Sequence, residues 1–186
     1  MVKIIGIDLA GLEKNDTGFC VLEAKSASVR LLKSNLEIIL AVEKENQAGK
    51  VDLLCIDGPT TLPVQNTRRC DDQLSDLGVL PPLIGGMRYL TMRASKLRTS
   101  LEEKGYKVIE VSNNATARVL GYWDPEPVRR QKSLLQLGIT GDIERRMFSK
   151  DEVDSVTTAL AGLLFLEGKA DEVGDNEGLI VVPQPV

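Results

Sequence analysis

Two apolar segments, each ending in an aspartate, restrict the fold of this chain more than any other feature. The first is KIIGID at residues 3–8, and the second is VDLLCID at residues 51–57. Short apolar runs rich in isoleucine and leucine predict buried strands. A carboxylate at the end of a buried strand costs free energy unless it is paired or binds a cation. Asp8 and Asp57 are therefore candidates for a shared functional site.

The elements around these two strands predict an α/β fold. Residues 17–23 and 28–33 have the composition of two further strands joined by a short hairpin link. Residues 36–47 have apolar positions at helical spacing, and residues 106–111 predict a fifth strand. This order predicts a mixed five-stranded sheet with strand order 3-2-1-4-5 and helices on both faces. In that order strands one and four are neighbours, so their aspartates face the same crevice.

A second pair of acids begins the long apolar helix near the C-terminus. Asp151 and Asp154 are three residues apart and share one helix face. Carboxylates without sulfur or imidazole ligands favour Mg²⁺ or Mn²⁺ over zinc. Two such ions can clamp the attacking and leaving oxygens of a phosphodiester. Each aspartate taken singly is equally well interpreted as a turn residue or helix cap, but the whole set favours a metal site.

The composition excludes several mechanisms. The chain of 186 residues contains no histidine, so a Ser-His-Asp triad and a histidine-ligated zinc are both excluded. General acid–base chemistry must therefore come from Asp, Glu, Lys or water. The net charge of -4 argues against tight non-specific binding of nucleic acid, although a local basic rim around an acidic centre is compatible with it.

Length, cysteine content and the N-terminus indicate one domain in the cytoplasm. We expect residues 1–186 to form a single domain with an insertion around residues 60–86. The cysteines are odd in number and widely spaced, which does not suit a disulfide framework. The first residues lack the charged head, apolar stretch and cleavage site of a signal peptide, so we expect none, and the apolar run at 156–166 is too short to cross a bilayer.

Two segments resemble the ribonuclease H-like nucleases and resolvases. GIDLA at residues 6–10 is similar to the strand that carries their first aspartate. DEVDS at residues 151–155 is similar to the DxxDA metal-binding segment of RuvC-type Holliday-junction resolvases, with Ser155 in place of the usual alanine. The resemblance implies the ribonuclease H-like fold. Many resolvase-like proteins are dimers, which leaves a homodimer open.

A longer series of motifs resembles the family called domain of unknown function 429, whose members are labelled predicted nucleases with the ribonuclease H fold. The motifs occur in the family's order: IDGP at 56–59, LP at 62–63, RCD at 69–71, Glu110 in the fifth strand and VP at 182–183. The chain departs from the family after the fifth strand, where residues 112–114 replace a proline.

We therefore expect a divalent-metal-dependent nuclease that hydrolyses phosphodiester bonds of DNA or RNA. The predicted catalytic residues are Asp8, Asp57, Asp154 and Glu110, and the predicted metal ligands are Asp8, Asp57, Asp151 and Asp154. Glu110 is either a further ligand or general base, or a polar strand residue facing solvent. Two alternatives stay open: a non-catalytic module that binds nucleic acid or protein, and a relative that transfers phosphoryl groups or handles ATP.

Four arginines are the predicted substrate-binding residues: Arg68, Arg69, Arg129 and Arg130. Arginine can grip a phosphate with two hydrogen bonds, which suits a nucleic-acid rim. For the first two, pairing with Asp71 or Asp72 is the alternative. For the last two, which belong to a basic cluster before the final helix, the alternative is a solvated face.

Overall fold

The computed structural model describes residues 2–185, which contain eight strands and eight helical segments. The strands are β1 (Lys3–Asp8), β2 (Thr17–Glu23), β3 (Ser26–Leu32), β4 (Leu53–Asp57), β5 (Val108–Val111), β6 (Thr140–Gly141), β7 (Ala170–Asp175) and β8 (Gly178–Pro183). The helices are α1 (Asn35–Ala48), α2 (Arg69–Gln73), a 3₁₀ helix (Ser75–Leu77), α3 (Met87–Glu103), α4 (Asn113–Val119), α5 (Pro127–Gln136), α6 (Asp142–Arg145) and α7 (Lys150–Leu166).

The strands form one mixed sheet with the order β6-β3-β2-β1-β4-β5-β8-β7. The predicted order 3-2-1-4-5 is present at its centre, but the prediction of five strands was wrong, because residues 2–185 contribute eight. β6 is only two residues long and pairs with β3, so its sequence is too short to show the alternation of apolar and polar residues that predicts a strand. β7 is a half-buried edge strand whose sequence, ADEVGD, carries the charges that protect sheet edges rather than an apolar run.

Alternating side chains of the central strands enter two hydrophobic clusters, one on each face of the sheet. Ile4, Leu53 and Cys55 pack with α7 on the first face. Ile5 and Leu54 pack with α1 and α3 on the second face. Because Asp8 and Asp57 follow Ile4 and Cys55 at even spacing, their side chains belong to the α7 face.

Glycines allow α7 to lie unusually close to the sheet. A Cβ at Gly18 in β2 would lie 2.0 Å from the carbonyl oxygen of Asp151, and a Cβ at Gly6 in β1 would lie 2.3 Å from that of Ser155. The helix begins with a capping box, in which Ser149 accepts a hydrogen bond from the Glu152 N–H and donates its own N–H to the Glu152 carboxylate. These contacts fix the first turn of α7 beside the ends of β1 and β2.

The segment predicted as an insertion, residues 60–86, contains α2 and the 3₁₀ helix. It is attached to the sheet by a buried ion pair between Arg68 and Glu110 of β5, and to α3 by the Thr91 hydroxyl, which donates to the carbonyl of Pro82 at 2.8 Å. Within residues 2–185, no helix combines the length and apolar character that crossing a bilayer requires. The organisation as a single domain stays a prediction.

Candidate active site

Asp8 and Asp57 are the last residues of neighbouring parallel strands. β1 and β4 pair in register from Ile4 and Leu53 to Asp8 and Asp57, so the two aspartates are directly opposite each other. Both lie at the C-terminal edge of the sheet, where open α/β sheets bind ligands. Each is partly exposed, so a ligand can reach the pair from solvent. This juxtaposition is the one that the two strand sequences predict.

Asn113, at the start of α4, joins the two carboxylates. Its backbone N–H donates to Asp57 Oδ1 at 3.0 Å, and its side-chain amide donates to Asp57 Oδ2 at 2.6 Å and to Asp8 Oδ1 at 3.2 Å. Sequence reasoning did not select this residue. Its place just after β5, the strand next to β4, is the signal that could have identified it. Asn113 thus holds both carboxylates in a fixed orientation.

Burial and mutual repulsion make the ionised pair costly. Burial raises the pKa of Asp8 well above its usual value, and the charges of Asp57 and Asp154 raise it further. Burial also raises the pKa of Asp57, to about 6, although the Asn113 N–H works against this rise. A bound cation would remove this cost. As oxygen donors, Asp8 and Asp57 therefore fit a hard divalent ion such as Mg²⁺ or Mn²⁺.

Asp154 is neutralised by two cationic side chains of the same chain. Its carboxylate is fully buried and forms ion pairs with Arg130 of α5 and with Lys150, whose Nζ lies 2.7 Å from Oδ2. The Arg130 guanidinium is also buried, and its Nε has no hydrogen-bond partner among residues 2–185. Arg130 is therefore placed against the acidic centre rather than on an outer basic rim.

Asp151 is partly buried one turn earlier on α7, and burial raises its pKa. The charges of Asp57, Asp154 and Asp151 all act on Asp8, so the four predicted metal-ligating carboxylates share one region. However, no group of three or more acidic or thiol side chains in residues 2–185 has an arrangement that could hold a metal ion. The structure brings together Asp8 and Asp57 as available ligands, with Asp154 engaged by its own cations.

Glu110 lies on the other face of the sheet from Asp57. β4 and β5 pair Asp57 with Val111 and Ile56 with Glu110, so Glu110 shares the face of Ile56. It is buried rather than solvent-facing, and it accepts hydrogen bonds from Arg68 and from both the N–H and hydroxyl of Thr60. Neither predicted role describes this position. Glu110 is the buried partner of an arginine and anchors residues 60–86 to the sheet.

Arg68 is equally buried, so it does not offer a phosphate grip at the surface. Its guanidinium donates to Glu110 with both terminal nitrogens, to Asp71 with Nε and Nη2, and to the Thr61 hydroxyl with Nη1 at 2.8 Å. Pairing with Asp71, the predicted alternative, does occur, but in the interior rather than at the surface. An arginine between two carboxylates can stay buried because its five donors and its charge are all compensated.

Arg69 and Arg129 are the two predicted substrate-binding residues that reach solvent. Arg69 is exposed on α2. Arg129 is exposed on α5 and makes a 3.3 Å ion pair with Asp124, which contributes little in water. Both guanidinium groups are therefore available to an anionic ligand, in contrast to those of Arg68 and Arg130.

Comparison with solved structures finds proteins with a similar fold. A structure titled "T. thermophilus RuvC in complex with Holliday junction substrate" matches with a TM-score of 0.53 and 13% identity, over 90% of this chain and 97% of that chain. A second Thermus thermophilus RuvC structure matches with a TM-score of 0.51 and 15% identity, over the same shares. At such identity the likeness shows the fold alone.

The fold is therefore that of RuvC, which agrees with the ribonuclease H-like fold expected from the sequence. No family model matches the chain, and comparison with curated proteins also finds no match. Membership of the domain of unknown function 429 family stays a prediction.

Proposed function

We propose that this chain is a divalent-metal-dependent nuclease that hydrolyses phosphodiester bonds of DNA or RNA. The observation that carries the proposal is the register-paired Asp8 and Asp57 at the C-terminal edge of the sheet. The cost of ionising this pair would be lowered by a cation that the two carboxylates hold. The likeness to a RuvC structure titled as a Holliday junction complex makes nucleic acid the substrate class to test first.

The residues of the site have different roles in this proposal. Asp8 and Asp57 would hold Mg²⁺ or Mn²⁺, which when bound supplies Lewis-acid activation of the phosphodiester. Asn113 keeps the two carboxylates in place through its three hydrogen bonds. Lys150 is paired with Asp154 but remains 66% exposed, so its ammonium can also contact a phosphate oxygen.

The test is a calorimetric titration of Mn²⁺ into the wild type, the Asp8→Asn variant and an Asp76→Asn control. Asp76 is an exposed aspartate on the 3₁₀ helix, so its replacement changes the same charge away from the site. We expect saturable binding in the wild type and the control, and none in Asp8→Asn. Absence of binding up to millimolar Mn²⁺ in the wild type would contradict the proposal.

Activity is measured on labelled four-way junction, duplex and single-stranded DNA, and on RNA, with Mg²⁺ or with a chelator. We expect cleavage of at least one substrate with Mg²⁺, and loss of that cleavage in Asp8→Asn but not in Asp76→Asn. If Asp8→Asn still cleaves the substrate, the cleavage does not depend on Asp8, which would refute Asp8 as a catalytic metal ligand.

One observation favours a second candidate, a module that binds nucleic acid without cleaving it. Arg130 and Lys150 neutralise Asp154, which leaves fewer carboxylates free for metal than the sequence predicts. In that case gel-shift assays would show binding of junction or single strands, whereas no substrate would be cleaved with Mg²⁺ or Mn²⁺.

A further inference from the structure

A cavity of about 130 Å³ opens directly beside Asp57. It lies above the ends of β4 and β5, between residues 78–90 and the start of α4. Its apolar walls come from Val79, Leu80, Met87, Leu90, Val111 and Ile180. The C-terminal ends of parallel strands are where open α/β sheets bind ligands, so the cavity and the carboxylate pair share one crevice.

Three charged residues line the cavity: Asp57, which belongs to the carboxylate pair, and Arg68 and Glu110, which are already satisfied. Arg68 and Glu110 bind each other, and their remaining atoms are taken by Asp71, Thr60 and Thr61. Their hydrogen-bonding atoms are therefore occupied within the wall and do not demand a charged ligand. The apolar surface and this satisfied wall together favour an uncharged, mostly apolar group on the side of the cavity away from Asp57.

Asn114 provides a polar group with hydrogen-bonding capacity to spare. Its side-chain oxygen accepts a hydrogen bond from Trp123 Nε1 at 3.1 Å, which fixes the amide orientation. No residue within 2–185 accepts a hydrogen bond from its amide nitrogen, which is therefore free to donate. An uncharged ring with an acceptor at its edge would satisfy this donor.

We propose that the cavity binds a nucleobase, that of the nucleotide whose phosphate lies at Asp8 and Asp57. This inference rests on the proposed function. A nucleobase has apolar faces and hydrogen-bonding edges, which match the walls and the Asn114 amide. The cavity is smaller than the ~300–1,000 Å³ of sites for drug-sized ligands, so it suits one flat ring system rather than a base pair.

The base must therefore leave the stack before its phosphate reaches the carboxylates. Enzymes that extrude a base spend a few kcal/mol, and least when the base is unpaired or already single-stranded. Trp123 is 40% exposed and donates to Asn114 of the cavity wall; the Arg118 guanidinium covers one face of its ring at 4.0 Å, so only the opposite face is left for a neighbouring base to stack on. Unpaired nucleotides are thus the preferred substrates of the site.

The test uses methyl-labelled protein and NMR titration in the presence of Mg²⁺. The probes are deoxyadenosine monophosphate and deoxyribose 5-phosphate, which lacks the base. We expect the methyl signals of Val111, Ile180 and Leu90 to shift saturably with the nucleotide and to stay unchanged with the sugar phosphate. The same signals shifting equally with both probes, or with neither, would overturn the inference.

The second experiment fills the cavity with a larger side chain. Val79→Phe places a ring in the cavity, and Val64→Phe makes the same change at a position that is 85% exposed and does not line it. We expect Val79→Phe to weaken nucleotide binding at least tenfold and Val64→Phe to leave it unchanged. Equal binding by both variants would refute the site. If Val79→Phe fails to fold, Leu80→Trp at the exposed rim replaces it.

The outcomes separate this inference from the nuclease proposal. Base-dependent shifts without Mn²⁺ binding or cleavage would support the base site and refute the nuclease. Metal-dependent cleavage without base-dependent shifts would support the nuclease and overturn the base site.

Discussion

Replacing Asp57 by asparagine should change how the stability of the metal-free protein depends on pH. The pKa of Asp57 is raised to about 6 by burial, whereas the pKa of an unfolded aspartate is ~3.9. Between these values the folded chain binds more protons than the unfolded chain. The free energy of unfolding of the wild type therefore falls as pH rises through this window, and it stays lower above pH ~6.

The magnitude follows from the size of the shift. About two pKa units correspond to ~3 kcal/mol of stability lost on going from pH 4 to neutral pH. Asp57 retains contact with solvent, which reduces the effect, so we expect a loss of ~1–2 kcal/mol. The asparagine variant also loses an acceptor for the Asn113 amide, so its absolute stability is less informative than its pH dependence.

The assay is urea denaturation between pH 4 and 8 in the presence of a chelator, for the wild type, Asp57→Asn and the exposed control Asp76→Asn. We expect a shallower pH dependence in Asp57→Asn and an unchanged one in the control. Millimolar Mg²⁺ should recover the lost stability of the wild type at pH 7, because an ion that binds only the folded chain stabilises it. A pH dependence in Asp57→Asn equal to that of the wild type would refute the reasoning.

Three further variants test the structure around the site. Gly18→Ala should destabilise the chain by about 3 kcal/mol in thermal or urea unfolding, since its Cβ meets a backbone carbonyl, whereas Gly86→Ala, with open space, should be neutral. Arg68→Met should cost about 3–5 kcal/mol by leaving buried carboxylates unpaired, whereas the exposed Arg69→Met should leave unfolding unchanged. Arg129→Gln should weaken junction binding and lower the slope of log affinity against log salt by about 1, with no change in stability.

The central strands could be predicted because their sequences carry the information locally. Apart from Lys3, β1 and β4 are apolar up to their terminal aspartates, and the helix α1 before β4 predicts a crossover that places the two strands parallel. β6 and β7 could not be predicted in the same way. A two-residue strand exists only through its partner β3, and β7 is a polar edge strand that depends on its hairpin with β8.

The face of the sheet on which each site residue lies could be predicted from the sequence, but its ion-pair partner could not. The pairing of Asp57 with Val111 places Glu110 on the opposite face, and alternation along β5 would have revealed this. The pairing of Arg68 with Glu110 and of Arg130 with Asp154 joins residues 42 and 24 positions apart. Such long-range pairs depend on how deeply each side chain is buried, which charge patterns alone do not indicate.

The charge balance of the site predicts how many divalent ions it binds. Asp8, Asp57, Asp151 and Asp154 carry four negative charges when ionised, and Lys150 and Arg130, which both pair with Asp154, contribute two positive charges. One divalent ion balances the other two, so calorimetry should give one Mn²⁺ per chain.

Removing a resident cation should strengthen the attraction for metal. Lys150→Met leaves Asp154 with one partner instead of two, and we expect Mn²⁺ affinity to rise by about tenfold, which corresponds to ~1.4 kcal/mol. Lys132→Met, on the neighbouring helix α5, is the matched control and should leave the affinity unchanged. Two ions bound to the wild type would contradict the charge count, and weaker binding in Lys150→Met would mean that the lysine assists the ion rather than competing with it.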